Sequence, residues 1–152
     1  MASENRYIED IRTGESWTSD AVHVSAEDII QFGRLYDPQP MHTDIEAAAS
    51  GPFGGLIASG WQMASLAMRL SVEARVFGAT PIIGAGVDEL RWRKPVRAGD
   101  SVTVMREIIE VVMPGNASAR GTVRTRMVMR NQNGEEVMTM TVAARVPRRP
   151  AA

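Results

Sequence analysis

The chain has 152 residues, a formal net charge of -1 and no cysteine. That length can bury a substantial core in one domain. The near-neutral charge gives no electrostatic case for nucleic acid or an anionic membrane as partner. The missing thiols exclude disulfides, a cysteine nucleophile and a thiolate zinc site, and suit the cytoplasm.

The N-terminus, Met1 to Arg6, has no apolar signal core. Trp17 to Val24 reads as a first strand, with His23 a partly buried residue in it. Ser25 is an N-cap, and Ile29, Ile30, Phe32 and Leu35 follow at helical spacing, so a helix runs to about Tyr36. Asp37 then stands at its C-terminal end, where the helix dipole opposes a carboxylate. Pro38 and Pro40 forbid helical hydrogen bonding through the next stretch, so Asp37 and His42 can meet only if the chain bends. Thr43-Asp44-Ile45-Glu46 is a capping box for a short helix through Ala49, which sets His42 just before a helix N-terminus. Both placements disfavour the charged form, as happens at functional sites and in structural networks alike. The plainer reading is an Asx-turn at Asp37 and a packed loop histidine.

Gly51 to Gly55 is a loop. Ser59 is a third N-cap with Gln62 at the third helical position, which makes Gly60 the first helical residue with its N–H free. Such an N–H can hold a developing oxyanion; alternatively the glycine only permits close packing. From Gly60 to about Arg75 the helix is apolar nearly all round, the mark of a core helix, with Trp61 and the methionines as packing residues. Arg69 interrupts it, and no run of about 18 uncharged apolar residues exists to span a membrane. Gly84-Ala85-Gly86 lacks the third glycine of a phosphate loop.

The second half is β. Leu90 to Arg93 alternates, Lys94 to Asp100 is a turn, and Ser101 to Val112 is a long strand broken by Pro114-Gly115-Asn116. Ala119 to Arg130 and Glu135 to Val146 form a hairpin around Asn133-Gly134. Arg120, Arg124, Arg126 and Arg130 line one face of it, most simply a solvated outer face. Met127, Met129, Met138 and Met140 belong to the other. Two histidines without clustered carboxylates argue against a metal site. The order of elements predicts an α+β domain over residues 1–147, an antiparallel sheet wrapped around a buried helix, with a frayed tail at 148–152.

Asp37-Pro38-Gln39-Pro40-Met41-His42-Thr43-Asp44, followed by Phe53 to Trp61, resembles the MaoC-like dehydratases, also called (R)-specific enoyl-CoA hydratases, which have the hot-dog fold. The likeness runs from about Val24 to Arg145 and includes Glu89-Leu90-Arg91-Trp92 and Gly99-Asp100. That family's motif is Asp-x-Asn-Pro-(Leu/Ile/Val)-His. Asp37, Pro40 and His42 match it, while Gln39 and Met41 replace the amide and aliphatic positions. Ser59 stands where the family often has histidine. The resemblance implies that Asp37 and His42 activate a water that adds to C3 of a trans-2-enoyl-CoA, or eliminate it from an (R)-3-hydroxyacyl-CoA. The Gly60 N–H would hold the enolate. Gln39 and Ser59 would contact the substrate, and Arg91, Arg93, Lys94 and Arg126 are candidates for the coenzyme A phosphates. No metal or redox cofactor is implied, coenzyme A being part of the substrate, and a homodimer is. The alternatives are a hot-dog thioesterase, for which the helix offers only the distant Glu73, and a non-catalytic acyl-CoA-binding module.

Overall fold

The computed structural model describes residues 4–152. A single antiparallel sheet carries one long helix on its inner face. The elements are β1 (Ser16–Thr18), β2 (Val22–His23), α1 (Ala26–Tyr36), α2 (Pro40–Thr43), α3 (Ile45–Ala49), α4 (Gly60–Glu73), β3 (Ile83–Trp92), β4 (Ser101–Val112), β5 (Arg120–Arg130) and β6 (Glu136–Pro147). The strand order is β1-β4-β5-β6-β3, with β2 also pairing β4. This is the expected sheet around a helix.

The three long strands form because one face of each is apolar. In the β5–β6 hairpin Met127 faces Met140, Met129 faces Met138, and Val123 faces Ala144. All six are buried, and the arginines of β5 alternate to the other side. Cross-strand pairs of this kind fix register, since a one-residue slip would move every methionine to the opposite face of the sheet. The turn is longer than an Asn133-Gly134 pair alone: Asn131 Oδ1 accepts the N–H groups of Asn133 and Glu135, and Gly134 takes the left-handed conformation at φ +76°. Against this face α4 buries Met63, Ala67 and Leu70, each large one contributing roughly 1.5–3 kcal/mol by leaving water. A second cluster (Ile8, Ile11, Ile108, Val123, Val146) closes the other end of the sheet.

Several expectations are corrected. Trp17 to Val24 is two short strands, because the Ser19 hydroxyl accepts the Val104 N–H at 2.9 Å and interrupts the ladder. His23 is exposed rather than partly buried. The strand containing Leu90 begins seven residues earlier, at Ile83, and is bulged between Gly84 and Gly86 and between Asp88 and Arg91. Helix α4 is not buried all round: Trp61 is 57% exposed and Val72 64%. Strand β3 lies at the sheet edge and is exposed nearly throughout. At the C-terminus the Arg148 N–H bonds the Ala119 carbonyl, and the Arg149 N–H bonds Glu9.

Candidate active site

Helix α1 ends where Asp37 bonds back to Gly33, and the chain turns sharply, with the Gln39 N–H on the Asp37 carbonyl at 2.8 Å. The stretch after it is partly helical after all. Pro40 occupies the first position of the one-turn α2, where a missing N–H costs nothing. His42 therefore lies within α2. The cap of α3 is Asp44, not Thr43; its Oδ1 accepts the Ala47 N–H at 3.0 Å. Gly33 lets this turn lie against α1: a Cβ there would be 2.7 Å from the His42 carbonyl oxygen.

The bend brings Asp37 and His42 together. His42 Nε2 is 3.2 Å from Asp37 Oδ2, with the imidazole 5% and the carboxylate side chain 19% exposed. His42 Nδ1 is 2.7 Å from the Ile57 carbonyl. A carbonyl only accepts, so Nδ1 carries a hydrogen. A neutral ring would then present a bare nitrogen to Asp37, two acceptors in contact. The contact is a hydrogen bond only when the pair holds one further proton.

Asp37 itself is held ionised. Gln39 Nε2 donates to Oδ1 at 2.8 Å, and the Ser59 hydroxyl donates to Oδ2 at 2.8 Å. The Gln39 bond lowers the carboxyl pKa most. Partial burial opposes it, and the Ser59 bond and the His42 charge add to the lowering. These bonds also offset the unfavourable end of the α1 dipole.

Ser59 is completely buried and caps α4 as expected, its oxygen accepting the Trp61 N–H at 3.3 Å. Its hydroxyl bonds Asp37, and Ser59 does not line the cavity that the other site residues share. The reciprocal half of the capping box is missing: among the described residues the buried Gln62 side-chain oxygen has no partner. Gly60 is the first residue of α4, and among the described residues no acceptor takes its N–H. The close-packing reading of Gly60 has a physical basis, for a Cβ there would run into the Trp92 indole. Trp92 in turn meets Trp61 edge to face, with ring centroids 5.2 Å apart.

Asp37, Gln39, Met41, His42, Gly60, Arg93 and Lys94 share one cavity of about 570 Å³, walled also by Tyr36, the two tryptophans and Met63. Arg93 Nε is on Thr139 Oγ1 at 3.1 Å, and Lys94 pairs with Glu135. Arg91 and Arg126 are not brought to this cavity. Arg91 pairs with Glu89 at 3.2 Å on the edge strand. Arg126 is exposed on the outer face of β5, across the sheet. Glu73 is at the far end of α4, beside Arg69. Sequence reasoning missed the Ile57 carbonyl, which no side chain signals, and Trp92, whose position depends on the bulge in β3. Among the described residues no cluster of three His, Asp or Glu could hold a metal. None of the helices there is long and apolar enough to cross a membrane.

The model of the MaoC like domain matches residues 11–131. The chain belongs to the MaoC-like family. Its relatives within that family include the 3-hydroxyacyl-thioester dehydratase Z of Mycobacterium tuberculosis, 34% identical over 109 residues, covering 70% of this chain and 72% of that protein. Among solved structures, the MaoC-like dehydratase from Rhodospirillum rubrum is 38% identical with a TM-score of 0.83, covering 95% of this chain and 99% of the other. The R-hydratase PhaJ1 from Pseudomonas aeruginosa is 25% identical with a TM-score of 0.76, covering 95% and 88%. The fold of this MaoC-like chain is thus the hot-dog fold, and its neighbours are hydratases and dehydratases.

Proposed function

We propose that this MaoC-like protein is a cytoplasmic hydro-lyase. It adds water to a trans-2-enoyl-CoA or, in reverse, dehydrates an (R)-3-hydroxyacyl-CoA. The observation that carries the reading is the Asp37–His42 contact opening on a cavity that also holds the unpaired Gly60 N–H. In hydration the Asp37 carboxylate takes a proton from water as the oxygen bonds to C3. The C2=C3 electrons move onto the thioester oxygen, which the Gly60 N–H stabilises. The enolate then collapses, and the Nε2 proton of His42 is delivered to C2. Proton transfer across the short Asp37–His42 contact restores the pair. General acid–base help of this kind is worth ~10²–10⁴-fold, and an oxyanion donor ~3–4 kcal/mol.

Coenzyme A enters as part of the substrate, with Arg93 and Lys94 beside its phosphates. The bare edge of β3 and the exposed Trp61, Val72 and Val87 support pairing with a second copy as a homodimer. The test is loss of the conjugated enoyl-thioester absorbance with crotonyl-CoA and longer enoyl-CoAs, with chiral analysis of the product. Formation of the (R)-3-hydroxyacyl-CoA is expected. Release of free thiol without hydration would replace this reading with the thioesterase one, and tight binding without conversion would replace it with the binding module.

A further inference from the structure

Strand β4 alternates strictly between its faces. Val102, Val104, Arg106 and Ile108 all point inward and all are buried. Three of these positions carry the apolar side chain that an inward face demands. The fourth carries a guanidinium that is only 4% exposed. It sits at the seam of the two core clusters, between Val104 of one and Ile108 of the other.

Arg106 has little to satisfy it. One Nη1 hydrogen goes to the Ser71 carbonyl at 3.2 Å, and the guanidinium lies 5.8 Å from the centre of the Trp17 ring. Among the described residues no carboxylate pairs with it. Burial alone pulls its pKa down from the usual arginine value, with no neighbouring charge opposing it. A guanidinium has five donors in a rigid fork, and among the described residues only the Ser71 carbonyl meets them. Burying a charge without a partner is among the costliest arrangements a fold can hold.

Arg106 lines a cavity of about 120 Å³ between the C-terminal half of α4 and the inner sheet face. Its walls are otherwise mainly apolar, including Met68, Val72, Phe77, Ile82 and Val142, with the exposed Arg75 at its rim. Thr80 also lines it, and among the described residues its buried hydroxyl has no hydrogen-bond partner. A buried guanidinium with one hydrogen bond and a hydroxyl with none among the described residues thus meet in one largely apolar cavity. The complement is an anion that is planar, singly charged and attached to hydrocarbon. A carboxylate matches the guanidinium fork in both geometry and charge. A cavity of roughly 150 Å³ can take a benzene, so this one suits about six non-hydrogen atoms.

We propose that this cavity is a second binding site, for a carboxylate on a short apolar stem, with Arg106 pairing the carboxylate and Thr80 adding a hydrogen bond. The carboxylate has two sources. One is a free short-chain acid. The other is the far end of an acyl thioester whose head lies at Asp37 and His42: Met63 of that cavity and Met68 of this one are five residues apart on α4, about 7.5 Å of helix rise. Only the second source rests on the hydro-lyase reading.

The experiment is calorimetric titration of the full chain with butyrate and with 1-butanol, for the wild type, Arg106→Met, Thr80→Val and Asp37→Asn. It is run beside turnover of an enoyl-CoA ending in a carboxylate and its methyl-ended equivalent. Arg106→Met keeps the length of the stem and removes an unpaired buried charge, so it should fold with an equal or higher Tm. For a free acid, butyrate saturates the wild type and Asp37→Asn alike, and Arg106→Met weakens it at least about 10-fold. Thr80→Val weakens it less, and butanol binds poorly. For an acyl end, the wild type prefers the carboxylated thioester, and Arg106→Met reverses that preference while leaving crotonyl-CoA turnover unchanged. The proposal is overturned if neither carboxylate responds to Arg106→Met, or if a crystal structure shows an Asp or Glu of a second copy seated on the guanidinium.

Discussion

Ser59→Ala removes one oxygen from a fully buried position and leaves its backbone and packing intact. That oxygen does two things: it accepts the Trp61 N–H at the start of α4 and donates to Asp37 Oδ2 at 2.8 Å. Loss of an N-cap typically costs ~1 kcal/mol, and a hydrogen bond to a charged group is worth ~1.5–3 kcal/mol. The two share one atom and do not simply add, so a loss of about 1–3 kcal/mol is expected by urea denaturation. In a chain of this size each kcal/mol lowers Tm by about 2–4 °C. The second effect is on titration. Ser59 is one of the groups that hold the Asp37 carboxyl below its usual value, so removing it raises that pKa. The sign follows from linkage. A carboxylate depressed in the folded state stabilises above its unfolded pKa of about 3.9, and that stability disappears as pH falls through the folded value. The stability gap between wild type and Ser59→Ala should therefore narrow below about pH 4, and the acid limb of kcat/KM should move to higher pH in the variant. Gln39 still holds the other oxygen, so activity should fall without vanishing. A variant that loses stability but keeps the wild-type acid limb would refute the coupling between Ser59 and Asp37.

Gly33→Ala places a methyl 2.7 Å from the His42 carbonyl oxygen. It should cost ~1–3 kcal/mol and lower kcat by displacing the dyad, which denaturation and steady-state rates would register together. Gly60→Pro is not a clean probe of the oxyanion role, because any Cβ there strikes Trp92. Replacing the Ser59–Gly60 amide with an ester by semisynthesis removes the N–H without adding a Cβ, and weakens the Ser59 carbonyl that accepts the Gln62 and Met63 N–H groups. It should cut kcat by ~10²–10³ while leaving circular dichroism unchanged. Arg93→Met with Lys94→Met should raise KM for enoyl-CoA but not for the same acyl group on a truncated pantetheine thiol. Arg126→Ala, across the sheet, should change neither.

The parts of this fold legible in the sequence are those where one physical rule acts alone. Ser101 to Val112 and Glu135 to Val146 are rich in β-branched residues and bounded by turn residues, and their strands were readable almost to the residue. Ser25 and Ser59 announced their helices because a hydroxyl before an apolar run has a specific use. The prolines around Asp37 and His42 showed only that the chain must bend for the two to meet, and the likeness to the family's motif is what joined them as a pair. Ile83 to Glu89 were not readable as strand, since an edge exposed on both sides carries no alternation and Gly84 and Gly86 suggest a loop. Pro40 misled because its effect depends on position: it forbids a helix interior but suits a first turn. The apolar residues of α4 that remain exposed, Trp61 and Val72 among them, gave a false reading of total burial. Periodicity records that a face avoids water without recording what covers it. Ser59 was read as a cap and a substrate contact, while its bond to Asp37 joins residues 22 apart and has no local trace.

The measurement that tests the central claim most directly is crotonyl-CoA hydration by wild type, Asp37→Asn and His42→Ala, each checked for folding by thermal melting. The wild type should consume the enoyl absorbance. Both variants should melt cooperatively and lose at least ~10²-fold in kcat. Near-wild-type turnover by either folded variant would contradict the assignment of Asp37 and His42 as the pair that activates water.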